Sequence, residues 1–468
     1  MPRFFRRRPT VSPARKKYSV LRDPVHGDIY LSDEEVAAID TADFQRLRGV
    51  RQLGLAYLVY PGALHTRFEH SIGTLHVTQA MLDAIQRSHE LDPRGCLGVS
   101  EEEARVVRMA ALLHDVTHIP FGHNIEDQSG LLERHDSAAR FEAALSTRTE
   151  LGALLEAQGL RRDVLNVLLP DGAPGRDPVP PFWRQVLSDT ICSDLLDYLA
   201  RDAYFTGLRI QIDDRVRSYF KIDRASGNLF IDLAKRELLR EDILSEIVRL
   251  LEARYYFSER VYYHHAKVGA GALVARAVEL ALDAKLVAAE ELYSQTDGSL
   301  FDLLERAAQR APRELGNRIT GLIGRVRRRR LFKRAAVFPR YQNQAVQEDL
   351  VRRYFARGTR EARLDVEARI ADLVRFGTGR AVDVIVYCPA ARMQLKEAAT
   401  HVLWPGQVTP RPLFEYATKV PRLADLERSY RDLWKFYVFA DSDDPTVLAA
   451  VQRAAADEFS AHNAYQVE

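Results

Sequence analysis

His114-Asp115-Val116-Thr117-His118-Ile119-Pro120-Phe121-Gly122-His123 is the stretch on which the reading of this sequence turns. Before it, Val106, Val107, Met109, Ala110, Leu112 and Leu113 recur at helical spacing, and Ser100 with Glu103 forms a capping box that starts the helix. His114-Asp115 therefore stands at the C-terminal end of an apolar helix, with Pro120 and Gly122 closing the segment. An adjacent His-Asp pair can converge on one ion only where a helix end or kink turns both side chains inward. Imidazole and carboxylate donors without sulfur suit one divalent ion, Mn, Fe, Zn or Mg.

A lone His-Asp dipeptide is weak evidence, and its surroundings strengthen it. Eight of the 13 histidines fall between His65 and His135, and each buried imidazole needs a hydrogen-bond partner, so packing alone explains the crowding poorly. Upstream, His65-Thr66-Arg67-Phe68-Glu69-His70 sets a second imidazole beside a guanidinium. Downstream, Asp194, Tyr198 and Asp202 fall at i, i+4 and i+8 on one helical stripe. A polar stripe lines a cavity or faces solvent.

The order His70, His114-Asp115, Asp194 resembles the H…HD…D signature of the HD-domain phosphohydrolases. The longer strings resemble the branch of deoxynucleoside triphosphate triphosphohydrolases that carry a SAM domain beside the HD domain; no SAM domain precedes the site here. Asp23-Pro24-Val25-His26-Gly27, Phe44-Gln45-Arg46-Leu47-Arg48, Gln52-Leu53-Gly54 and Arg329-Arg330-Leu331-Phe332-Lys333 agree as well, so the likeness runs from about Tyr18 to Lys333. It implies a mainly α fold, an HD-domain helical core, with His70, His114, Asp115 and Asp194 as metal ligands. It places His118, His123 and His135 around the scissile phosphate, with Glu126 and Asp136 orienting them. Arg67, Tyr198 and Arg254 would touch the triphosphate, Gln52, Leu53 and Asp202 the deoxyribose, and Tyr262 the base and sugar. One departure is Leu195, which stands where the branch has a phosphate-binding lysine.

The chemistry expected is attack of an activated water at the α-phosphorus of a dNTP, releasing deoxynucleoside and triphosphate. Arg67 and Arg254 supply forked, permanently charged donors. His123, oriented by Glu126 or Asp136, is the candidate general acid–base, its ordinary pKa of ~6.5 lying near working pH; His118 could instead contact the phosphate. Two alternatives stay open. The Leu195 departure favours a monophosphate, cyclic or modified nucleotide, and the basic clusters fit a nucleotide- or nucleic-acid-binding protein with a vestigial site.

Along the chain, residues 1–17 read as a disordered basic tail, 18–338 as the helical catalytic domain with regulatory and oligomerisation helices, and 339–468 as a small α+β lobe. Helices are expected over Asp33–Leu53, with Val36, Ile39, Phe44 and Leu47 as core positions, over Ser71–His89, and over Phe182–Asp202 after a Pro/Gly-rich loop. Arg254 to His264 reads as one helix, and a hairpin is expected near Gly227. Strands are expected at Val382–Tyr387 and Phe436–Phe439.

Hydrophobic residues at 46%, charged residues at 28% and a net charge of +2 describe a folded enzyme and not a general polyanion binder. Cys96, Cys192 and Cys388 show no paired spacing, against a disulfide scaffold or a thiolate zinc site; Cys192 reads as a small buried hydrophobe. With no run near the roughly 18 apolar residues of a membrane helix, the cytoplasm is the plain reading, although the acid-free N-terminus also fits a mitochondrial presequence. Arg325 and Arg327 to Arg330, with Lys333 and Arg334, form the steepest basic run. It reads as a solvated face, a nucleic-acid patch, or, by resemblance, part of a site for an activating GTP or dNTP at a subunit interface. That site would use Asp40, Gln45, Arg48, Arg329 and Lys333 in a dimer or tetramer. His264-His265 is not read as a metal pair.

Overall fold

A computed structural model describes residues 18–129, 132–210, 212–390 and 399–466; the basic tail falls outside them. The fold is mainly helical, with small sheets. Its centre is the pairing of the helix Arg67–Leu91 with the helices Glu101–Leu113 and Ser193–Thr206. Ser100 caps the second of these through the expected box with Glu103. The first begins four residues before its expected start, where the Glu69 carboxylate returns to the Thr66 amide at 2.5 Å and closes the helix end.

Two expected helices are broken. Asp33–Leu53 divides into Asp33–Ile39, Ala42–Gln45 and a 3-10 turn at Arg46–Gly49, because Thr41 caps a new helix with its side chain on the Phe44 amide. Of its expected core positions Ile39, Phe44 and Leu47 are buried, whereas Val36 is only partly so. Phe182–Asp202 divides into Pro181–Leu187 and Ser193–Thr206. Arg254–His264 is likewise not one helix: Glu241–Phe257 ends in a wide turn at Ser258–Tyr262, and His264 caps His265–Asp283. The Gly227 hairpin forms, pairing Phe220–Ile222 with Leu229–Asp232.

Near the C-terminus, Lys435–Ala440 pairs antiparallel with both Lys333–Pro339 and Val384–Tyr387, and the helices Arg360–Thr378 and Pro445–Phe459 pack together beside this sheet. The chain does not stay there. His401–Leu403 runs back to pair in parallel with Leu229–Asp232, and the following Leu413, Val420, Leu423 and Leu426 pack into the same core as the helices Arg67–Leu91 and Ser193–Thr206.

A buried cluster of balanced charge joins the helix His265–Asp283 to Arg360–Thr378. Both Glu367 carboxylate oxygens accept from Arg276 Nη2, at 2.7 and 2.8 Å, Arg276 Nε also meets Glu279 at 3.1 Å, and Arg363 pairs with Glu279. Glu367→Gln would leave an uncompensated buried cation, and is expected to cost about 3–5 kcal/mol of stability. Urea denaturation checks this; an unmoved midpoint would show that the cluster contributes nothing net.

Candidate metal centre and active site

Each of the four expected metal donors stands at a helix terminus or on the helix facing it. His70 lies in the first turn of Arg67–Leu91, and His114 is the C-terminal cap of Glu101–Leu113, with Asp115 just beyond. Asp194 lies in the first turn of Ser193–Thr206, where the positive end of the helix dipole favours a carboxylate. His70 Nε2 and His114 Nε2 face one another at 3.2 Å, and Asp194 Oδ1 lies 3.0 and 3.7 Å from them. Asp115 reaches His114 at 3.5 Å and His70 at 3.8 Å while accepting from Arg67 at 2.6 Å. His70, His114 and Asp194 thus lie close enough together to hold one ion.

The tautomers fit a cation. His114 Nδ1 donates to the Ala111 carbonyl at 2.8 Å, and His70 Nδ1 faces the Asp197 carboxylate at 2.7 Å. In the neutral rings both Nε2 lone pairs then point into one space, which only a proton or a metal can reconcile. Burial disfavours charge on His70, but hydrogen bonds to Asp194 and Asp197 outweigh it and lift its pKa to about 10. Burial raises the Asp194 pKa, yet both imidazoles outweigh that and hold the carboxylate well below its ordinary range.

Behind the donors stands a network without an expected role. Asp197, fully buried, accepts from His26 at 2.7 Å and from Arg201 at 2.8 and 2.9 Å besides holding His70. Arg201 in turn binds Asp23 at 2.8 Å, and Asp23 caps the Val25 and His26 amides. The approach is so close that a Cβ on Gly73 would fall 1.9 Å from Asp197. The sequence signal was available: Asp197 and Arg201 share a helix face at i, i+4, and Asp23 and His26 lie in one of the resembling strings.

The other expected residues divide. His118, His123 and His135 come together, with the His118 and His135 rings stacked at 3.5 Å and His118 Nε2 at 3.2 Å from Asp115. Burial and the Arg67 charge hold His118 neutral. Phe121 turns the chain between them at φ +56°, a strained position for a bulky residue. Glu126 orients one of the three, His135, at 2.8 Å, rather than His123, and Asp136 pairs with Arg134 at 3.0 Å.

The Asp194-Tyr198-Asp202 stripe faces inward. Asp202 accepts from Tyr262 at 2.6 Å and pairs with His65 at 2.9 Å; Tyr198 lies 6.5 Å from the His70 ring. Gln52 Oε1, His65 Nδ1, Arg67 Nε and His118 Nδ1 are among the buried polar atoms without a protein partner. Leu53 is buried in the core below.

The residues expected for a regulatory nucleotide stand in two groups. Arg48 binds Gln45 at 2.8 Å and Gln45 binds the Ile39 carbonyl, next to Asp40, which ends the helix Asp33–Ile39. Arg329 donates to the Leu58 carbonyl and Lys333 pairs with Asp443. Among the described residues no hydrogen bond or ion pair joins the groups within one chain. Arg325 and Arg327 are themselves paired, with Asp441 and with Asp302 and Glu305, so the basic run is neutralised in part. All three cysteines are buried, and no helix among the described residues is long and apolar enough to cross a membrane.

A histidine, a His-Asp pair at a helix end and a later aspartate around one ion-sized space define the HD class of phosphohydrolase. The HD domain profile matches residues 67–169, and that of the HD associated region matches residues 234–467, half of the chain. The chain belongs to the family of HD-domain proteins that carry this associated region. An uncharacterized protein of Methanocaldococcus jannaschii is 29% identical over 61% of this chain and 54% of its own. The deoxynucleoside triphosphate triphosphohydrolases SAMHD1 of Gallus gallus and Homo sapiens are each 30% identical over 53% of this chain, and 43% and 42% of theirs. The chain thus spans about half the length of these relatives or less. A crystal structure of a hypothetical protein from Aquifex aeolicus shares the fold, with a TM-score of 0.64 at 20% identity, over 94% of this chain and all of that one.

Proposed function

We propose that the protein is a deoxynucleoside triphosphate triphosphohydrolase that releases deoxynucleoside and triphosphate. The observation that carries this reading is a set of imidazole and carboxylate donors close enough to hold one ion, with Arg67 bound to Asp115 beside them and Asp202 bound by Tyr262 further along the same helix as Asp194. The relatives named for this activity add support. His70, His114, Asp115 and Asp194 would hold the ion. A bound divalent ion lowers the pKa of a coordinated water and polarises a phosphoryl oxygen.

The protein groups supply the rest. Arg67, already braced by Asp115, neutralises phosphate charge as it develops. His118, kept neutral and pinned to Asp115, contacts a phosphate oxygen. His123, the exposed member of the histidine trio, passes a proton from solvent to the leaving oxygen. Asp202 and Gln52 hold the sugar, and Tyr262 packs on it. A nucleotide activator, bound by Asp40, Gln45 and Arg48 of one chain with Arg329 and Lys333 of another, would join subunits.

Manganese-loaded protein incubated with each dNTP and NTP, with and without GTP, is expected to yield deoxynucleoside and inorganic triphosphate by chromatography. Release of single phosphates or of a linear product from a cyclic nucleotide would replace this substrate class. Identical mass and rate with and without GTP would remove the activator.

A further inference from the structure

The chain leaving the His-Asp pair buries three successive residues, Val116, Thr117 and His118, in the turn between the end of Glu101–Leu113 and Gly122. Buried carbonyls need donors, and here two guanidinium groups supply them. Arg46 Nη2 donates to the Val116 and His118 carbonyls, each at 2.9 Å. Arg140 Nη2 donates to the Thr117 carbonyl between them, and its Nη1 to the Glu133 carbonyl at 3.2 Å. Arg140 thereby ties the turn that carries His118 to the segment that carries His135. The Thr117 hydroxyl adds a bond to the His135 carbonyl at 2.7 Å. The stacked His118 and His135 rings stand on these ties.

Both arginines are braced from behind by one short segment. Arg46 Nη1 donates to the Gln295 carbonyl at 3.1 Å, and the Arg140 guanidinium lies 3.6 Å from the Tyr293 ring centroid. Tyr293 ends the helix Ala289–Tyr293, and Gln295 lies in the turn before Asp297–Arg310. That segment falls in the HD associated region, whereas Arg140 lies within the HD domain match and Arg46 precedes it. Three separate parts of the chain therefore meet at the carbonyls that follow Asp115. Arg46 stands in the string Phe44-Gln45-Arg46-Leu47-Arg48, yet no metal, substrate or regulatory role has used it. Its planar fork serves three carbonyls at fixed angles, a geometry that an ammonium group does not reproduce.

We propose that Arg46 and Arg140 are positioning residues that hold His118 and His135 in place against the metal donors, with Tyr293 and Gln295 as the associated region's share of that hold. The catalytic consequence rests on the phosphohydrolase reading above, to which the proposal adds the residues that place the histidines. Without the guanidinium of Arg46 the turn would lose two of its three carbonyl ties. A displacement of about 1 Å at a reacting group costs on the order of 100-fold in rate. His70, His114 and Asp194 belong to helix ends that neither arginine touches, so metal binding should survive.

The test compares Arg46→Ala, Arg46→Lys and Tyr293→Leu with wild type, as manganese-loaded full-length protein. Hydrogen exchange read by mass spectrometry is expected to quicken in Arg46→Ala over His114–His123, with metal content and exchange in the helix Arg67–Leu91 unchanged. On the dNTP that wild type turns over fastest, kcat should fall about 100-fold with KM little altered. Free guanidinium, well below denaturing levels, should restore both protection and kcat in Arg46→Ala, and Arg46→Lys should recover little of either. Tyr293→Leu loosens Arg140 alone and should give a smaller change in the same readouts, even if Arg46→Ala does not fold. Wild-type exchange over His114–His123 in the folded variants would overturn the proposal. So would local loosening with an unchanged kcat, or loosening spread evenly along the chain, which a merely structural role produces. Local loosening reversed by guanidinium, in a protein that hydrolyses no nucleotide, would instead overturn the proposed activity and leave the two arginines as the hold on the turn.

Discussion

His114→Ala is expected to empty the metal centre and abolish phosphohydrolysis while leaving the fold intact. Its Nδ1 donates to the Ala111 carbonyl at its own helix end and its Nε2 faces the other metal donors, so its removal disturbs little apolar packing. Its Nε2 is one of the two nitrogens facing the ion-sized space. Loss of groups that merely orient metal ligands already lowers metal affinity or activity by about 10–100-fold, and removal of a ligand should exceed that. Elemental analysis after dialysis and a rate assay check it, and Asp115→Ala should agree in both. Retained turnover in either variant would rule out this site.

The second large effect is expected from Asp197→Asn, which touches no substrate. Asp197 fixes the His70 tautomer and balances Arg201, which is itself fully buried. The amide would weaken metal binding about 10–100-fold and, by leaving Arg201 short of charge, lower stability by about 3–5 kcal/mol. Chelator competition separates the two consequences. Asp23→Asn serves as the comparison, because it loosens Arg201 without reaching His70. It should lower stability and spare metal affinity. If both variants lost stability alone, Asp197 would be a packing residue with no part in positioning the ligand.

How much of this was legible follows from where the determining contacts lie. The helix before His114 was readable because its apolar spacing and its Ser100–Glu103 box are local. The terminal strands were readable from short apolar runs. The break before Asp194 was not. There the Ile191 amide bonds Thr400 and the Ala399 amide bonds Thr190, partners 209 residues away in the chain. Asp33–Leu53 looked continuous because Val36, Ile39, Phe44 and Leu47 keep an apolar pattern, while the interruption rests on one threonine hydroxyl. The metal donors carried a chemical signature that survives without geometry. The pairing of Glu126 with His135 and not His123, and of Asp136 with Arg134, depends on side-chain directions that residue order does not contain.

The return of His401–Leu403 to lie along Leu229–Asp232 bears on how such a molecule can change over generations. A gene truncated after the strand Lys333–Pro339 would lose both the sheet partner of Leu229–Asp232 and the apolar residues from Leu413 to Leu426 that share a core with the helices Arg67–Leu91 and Ser193–Thr206. The catalytic half and its terminal companion are interwoven, so recombination could not trade one without stripping the other, and the two are expected to be inherited together.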